Sequence, residues 1–173
     1  MTKEPPEFAS FDQRLDVDRL SREPEMVHLR ASDADLKAVA TTLKIPAIQV
    51  LAGEAKVTRH GDLIEVTGHL AAKLARECVA TLEPMEETID EDFFVTFTLA
   101  QTVETSAEEV EADLDAPEPL EGDALSMGDV FIEQLVLAMD PHPRKPDAAA
   151  IEDPGAGATV SPFAVLERLK NQD

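Results

Sequence analysis

The sequence predicts an α+β fold in which an antiparallel β-meander or hairpin sheet is packed by two main helices. An acidic flexible loop and a short C-terminal helix complete it. Three observations predict this class. Apolar residues recur with period two across 51–74 and again across 89–99, they recur with helical spacing across 36–43 and 130–139, and turn or proline signals separate the blocks.

Taken in order, Leu15 with Val17 and Val27 with Leu29 alternate with polar neighbours, which predicts two short strands. Leu36, Val39, Ala40 and Leu43 then form one buried helical face. Ser32 and Asp35 make a capping-box pattern at its start, and Pro46 lies beyond its end. From residue 50 the period is two. Leu51, Gly53, Ala55 and Val57 face one way, His60-Gly61-Asp62 turns the chain, and Ile64, Val66, Gly68, Leu70, Ala72 and Leu74 alternate on the return. A third strand follows Pro84, with Ile89, Phe93, Val95, Phe97 and Leu99 on one side; Phe94 falls on the other side among Asp and Thr. The first helix and the N-terminal strands are expected to cover the apolar face of this sheet.

Residues 101–123 are crowded with Asp and Glu and poor in large apolar groups, so they predict a mobile loop whose burial cannot offset its ordering entropy. Ser126 and Asp129 repeat the capping-box pattern. The helix after them is apolar around most of its girth, with Asp129, Glu133 and Asp140 as a narrow polar stripe, and it is expected to be mostly buried against the sheet. Pro141 and Pro143 stop it. Residues 144–160 read as linker, and Ser161-Pro162 opens a short amphipathic helix over 162–170 carrying Phe163, Leu166 and Leu169. The expected division is one domain over 1–143 and a tail over 144–173.

The net charge of −21 is placed unevenly. Between Glu77 and Pro143 there is no Lys or Arg but there are nineteen Asp and Glu; the rest of the chain holds fifteen basic and seventeen acidic groups. Phosphate binding needs cations that displace counterions, so this half of the chain repels a nucleic-acid backbone and attracts a basic partner. The same charge also serves plain solubility. No apolar run is long enough to span a membrane, and the first residues lack the layout of a signal peptide. The single cysteine, Cys78, makes no internal disulfide, and a cytoplasmic location is expected.

No catalytic motif is present: no P-loop, no GxGxxG, no GxSxG and no HExxH. His28, His60, His69 and His142 are scattered, and Cys78 has no His near it in sequence to act as its base. Asp129 and Glu133 share a helix face at i and i+4, which reads as a solvated stripe unless further groups converge on it. Lys56, Lys73 and Arg59 are candidates to share the wet face of the hairpin, where Phe94 is the one candidate for base stacking. That arrangement is the basis of an alternative reading, a direct RNA-binding module on the 50–75 hairpin.

Several segments, in order, carry a resemblance. They are Val66-Thr67-Gly68-His69-Leu70-Ala71-Ala72, Glu77-Cys78-Val79-Ala80-Thr81-Leu82-Glu83-Pro84, the run from Gly128-Asp129-Val130-Phe131 to Met139-Asp140-Pro141, Pro143-Arg144-Lys145-Pro146, and Ser161-Pro162-Phe163 through Lys170. The set resembles the YceD family of large ribosomal RNA subunit accumulation proteins, also called domain-of-unknown-function family 177, and its Arg-Lys-Pro and Ser-Pro-Phe versions resemble the alphaproteobacterial type. The resemblance implies a non-enzymatic, cytoplasmic ribosome biogenesis factor that supports accumulation of large-subunit (23S) ribosomal RNA. It implies large-subunit components as partners, a basic ribosomal protein or the 23S RNA, with no membrane, no small-molecule substrate and no cofactor. Many family members carry a second cysteine three residues after the first and others near the C-terminus, a layout suited to zinc. Here those positions are Thr81, Arg144 and Lys145, so no metal is expected. The candidate binding residues are Lys56, Arg59, Lys73, Asp129, Glu133, Arg144, Lys145 and Phe163.

Overall fold

The computed structural model describes residues 11–99, 116–120 and 122–148. It is α+β: a mostly antiparallel sheet of five strands packed with two helices. The elements run β1 (Arg14–Asp16), β2 (Glu25–Arg30), α1 (Asp33–Leu43), β3 (Ala47–His60), β4 (Leu63–Glu77), β5 (Pro84–Thr98), β6 (Glu118–Pro119), β7 (Ala124–Ser126) and α2 (Met127–Ala138). A short 3-10 turn, Val17–Arg19, follows β1.

The meander β2–β3–β4–β5 is the body of the sheet, with β6 at its far edge. The long hairpin forms where the alternation predicts it. Leu51, Ala55 and Val57 on β3 and Ile64, Val66, Leu70, Ala72 and Leu74 on β4 are all buried. Its turn holds two residues, with Gly61 at the first at φ 69° as a glycine-first hairpin turn requires. β5 pairs with β4 from Pro84 to Thr98 without a register shift and buries Ile89, Phe93 and Phe97.

Helix α1 closes one end of this face. Ser32 accepts from the Asp35 backbone N–H while Asp35 accepts from that of Ser32, the reciprocal capping box its spacing predicts. Helix α2 lies on the other part, packed on β4, β5 and β1. Phe131 is its anchor. The ring lies edge-on to Phe93 at 5.3 Å between centroids and to Phe11 at 6.3 Å. Two glycines of the sheet make room: a β-carbon at Gly53 would overlap Phe131, and one at Gly68 would overlap Phe93.

Four expectations are corrected. β2 does not cover the sheet but extends it, paired with β3 over six residues. β1 leaves the main sheet and pairs with β7 in a separate two-stranded ladder. Glu118 and Pro119, within the segment expected to be a loop, form a strand parallel to β5; such pairing needs only backbone groups, so a segment poor in apolar side chains can still make it. Helix α2 is not buried around its girth. Val130, Phe131 and Leu135 face the core, whereas Leu137 is 76% exposed and Val136 48%. The rest of the acidic loop (101–115 and 121) and the C-terminal helix at 162–170 lie outside the described residues.

Candidate protein-interaction surface

The solvent face of the sheet is built from rows of directly opposed residues. One row runs Met26, Lys56, Thr67, Phe94, and the next His28, Glu54, His69, Asp92. In the second row acids and imidazoles alternate across four strands. His28 Nδ1 lies 3.4 Å from Glu54 Oε2. His69 is held from both sides, with Nδ1 2.9 Å from Asp92 Oδ1 and Nε2 3.2 Å from Asp90 Oδ1. The hydrogen bond to Asp92, with the charges of Asp90, Asp92 and Glu54 behind it, raises the His69 pKa above its ordinary value. β5 carries Glu86, Asp90 and Asp92 on this face, Glu87 and Glu91 on the other, and no cation, so this face is acidic toward the β5 edge.

The three basic residues expected to share the hairpin face do not form a cluster. Lys56 is exposed there and makes no ion pair among the described residues. Lys73 lies on the same face, six residues farther along β4 from the partner of Lys56, about 20 Å away, and its ammonium is 2.9 Å from Glu86. Arg59 is opposite Ile64 and so belongs to the other face. It donates to the Val17 and Gly61 carbonyls at 2.7 and 2.8 Å and lies 3.8 Å from Asp18, which ties the 3-10 turn to the hairpin end.

Asp129 and Glu133 lie on the solvent side of α2, and Glu118 of β6 is near enough to Glu133 for its charge to act there. Partial burial first, then the charges of Glu118 and Asp129, raise the Glu133 pKa. Asp129 does not complete a capping box. Its N–H donates to Ser126 Oγ, and the second acceptor at this helix start is Asp12, which accepts from the Ser126 hydroxyl at 2.7 Å and from the Gly128 N–H at 3.3 Å. The sequence reading missed Asp12 because a cap supplied from 114 residues away leaves no local pattern.

Arg144 is exposed, whereas Lys145 belongs to a clasp that holds the chain after α2 against the β4–β5 turn. Val79 N–H donates to the Pro143 carbonyl at 2.9 Å, and Lys145 Nζ is 2.8 Å from Glu83 Oε2. Arg76 pairs with Glu87 and donates to the Asp140 carbonyl at 3.1 Å, while Asp140 N–H donates to Glu87 at 2.7 Å. Cys78 is the buried centre of the clasp. Thr81 Oγ first, then the Lys145, Ala80 and Thr81 N–H groups, hold its pKa down at about 7. Phe163 lies outside the described residues.

A metal does not fit here. The residues around Cys78 are Thr81 and Lys145, neither a thiolate, and the Lys145 ammonium already occupies the place of a counter-cation beside Glu83. Among the described residues no group of three or more His, Cys, Asp or Glu is placed to hold a metal ion. No helix among them is long and apolar enough to cross a membrane.

The ordered segments named above lie within one family match. Residues 66–170 match the family model described as large ribosomal RNA subunit accumulation protein YceD. The chain belongs to the YceD family. The family is implicated in accumulation of large-subunit ribosomal RNA and has no known catalytic activity. No curated protein and no solved structure matches the chain.

Proposed function

We propose that the chain is a non-enzymatic factor of bacterial ribosome biogenesis that supports 23S ribosomal RNA accumulation by contacting a basic ribosomal protein. Family membership supports the process. The observation that favours a protein contact is the acidity of β5, which places Glu86, Asp90 and Asp92 on its outer face and Glu87 and Glu91 on its inner one, with no cation in the strand. A surface of that sign steers a cationic chain toward it and disfavours phosphates. A factor of this kind acts by holding its partner.

The alternative, an RNA-binding module on the hairpin face, draws less support. Arg59 is committed to backbone carbonyls on the opposite face, Lys73 is neutralised by Glu86, and Lys56 stands beside the row that holds Glu54 and Asp92. Depletion of the protein in its host is the test. The amount of large-subunit ribosomal RNA is expected to fall relative to small-subunit RNA, and an unchanged ratio overturns the proposal.

A further inference from the structure

We infer that the outer edge of β5, which only β6 touches among the described strands, takes up an extended, lysine- or arginine-rich protein segment as an added strand. This rests on the reading above that the partner is a basic protein, and it names the site and the mode of contact.

The backbone is the first ground. β5 is paired along its whole length with β4, but on its other side β6 reaches only Phe97 and Thr98. The Thr98 carbonyl accepts from Leu120 N–H on that side. Backbone groups alternate in direction along a strand, so those of Thr88, Asp90, Asp92, Phe94 and Thr96 point to the same edge. Among the described residues no strand pairs with them. The edge is continuous, with no register shift and no proline after Pro84. It therefore lacks two of the devices that usually blunt a strand edge.

The third device, charge, is present and is selective. A row of carboxylates keeps a second copy of β5 away. It does not keep away a cationic strand, whose side chains would fall opposite Asp90 and Asp92 on the outer face and beside Glu91 on the inner one. The opposite edge, β2, is only six residues long and mixes Glu25 with His28 and Arg30, so it offers no such preference.

The inner face adds a second requirement. Between β5 and α2 lies a groove of about 410 Å³ floored by Leu70 and Phe93, walled by Gln134, Leu137 and Ala138, and rimmed by Glu91 and Asp92. Leu137, 76% exposed, stands at its margin. Alternate side chains of an added strand would enter this groove. The favoured segment is thus one in which basic residues alternate with apolar ones.

The test is a titration of the isotopically labelled full chain with a synthetic peptide of about twelve residues alternating Lys and Val, roughly the length that spans this edge. Two controls are a peptide with proline in place of every second valine, and a single-stranded oligoribonucleotide. Binding is expected to shift the amide signals of Thr88, Asp90, Asp92, Phe94 and Thr96 and slow their hydrogen exchange. Proline removes edge hydrogen bonds, so the proline peptide is expected to bind about ten-fold more weakly or worse. Thr88→Pro in the protein, which removes an edge-facing N–H but none paired with β4, is expected to weaken the alternating peptide similarly. Glu91→Lys, which leaves the backbone untouched, is expected to weaken it too and carries the test if the proline variant does not fold.

Equal binding of both peptides, or shifts away from this edge, would overturn strand addition while leaving a basic protein partner in place. No binding of any basic peptide at low salt would remove both readings. Selective capture of the oligoribonucleotide at these amides would also overturn the inference.

Discussion

The ring of Phe131 rests directly on the backbone of Gly53, where a β-carbon would overlap both Phe131 Cε1 and the His69 carbonyl. Phe93 repeats the relationship over Gly68 on the next strand. Two aromatic rings, edge-on to each other, thus lie in a trough that two glycines open in the sheet, and this is what brings α2 close enough to wall the groove beside β5.

Gly53→Ala is therefore expected to destabilise the protein by about 1–3 kcal/mol, the range for overpacking a core. Phe131→Ala is expected to cost about 3–5 kcal/mol. The two changes meet at one contact, so the double variant should lose less than the two losses added together. Chemical denaturation of the four proteins measures this, and strict additivity would show that ring and glycine do not bear on each other.

Asp12 caps α2 from the other end of the chain. Asp12→Ala is expected to cost about 1 kcal/mol, as the loss of a helix N-cap does. Ser126→Ala breaks the same hydrogen bond, so adding it to Asp12→Ala should cost little more. Thermal unfolding of the single and double variants is the check; an Asp12→Ala protein as stable as the parent would rule the cap out.

His69 gives the surface a pH dependence of known sign. Its pKa in the folded protein lies above the ordinary 6.5 because Asp92 and Asp90 favour the imidazolium. A raised value means that the ion pairs stabilise the fold fully below about 6.5, and that this contribution is lost as pH rises through the folded value. Asp92→Asn is expected to lower the titration midpoint of the His69 ring protons in an NMR titration. A midpoint that stays put would mean Asp92 is not the cause.

Cys78 shows the opposite sign. Its thiol is lowered from 9.0 to about 7, chiefly by Thr81 and then by the Lys145 N–H. Stability from the thiolate is complete above about 9 and is lost as pH falls through about 7. Alkylation of the native protein is expected to be slow in spite of the low pKa, because the sulfur is buried. Thr81→Val should move the pKa back toward its ordinary value, followed by the thiolate absorbance across pH; an unmoved midpoint would remove Thr81 from the account.

The hairpin was legible because one of its faces is wet. The alternation of Leu51, Ala55 and Val57 against Glu54 and Lys56 survives in the sequence only when a strand has two different sides. The β1–β7 pair was not legible, since three-residue strands joined across the length of the domain leave no period to read. Glu118 and Pro119 look like loop because their place in the sheet rests on backbone bonds that composition does not record. Leu137 looks like core for the reverse reason, as an apolar letter on an apolar helix that faces outward. At the interaction surface the acidity of β5 could be read directly. The openness of its edge depends on how far β6 reaches, and Arg59 changed faces because strand parity, not charge, decides where a side chain points.

The bond between Asp12 and Ser126 also has a temporal side. During synthesis the chain emerges from its N-terminus, and Ser126 is made 114 residues after Asp12. Until then β1 has no strand to pair with and Phe11 has no Phe131 to meet. The meander from β2 to β5 can form earlier from neighbours in sequence, but sealing the core waits on a closure of high contact order. The fold thus closes only once Ser126 and α2 have been made, and β1 waits for them.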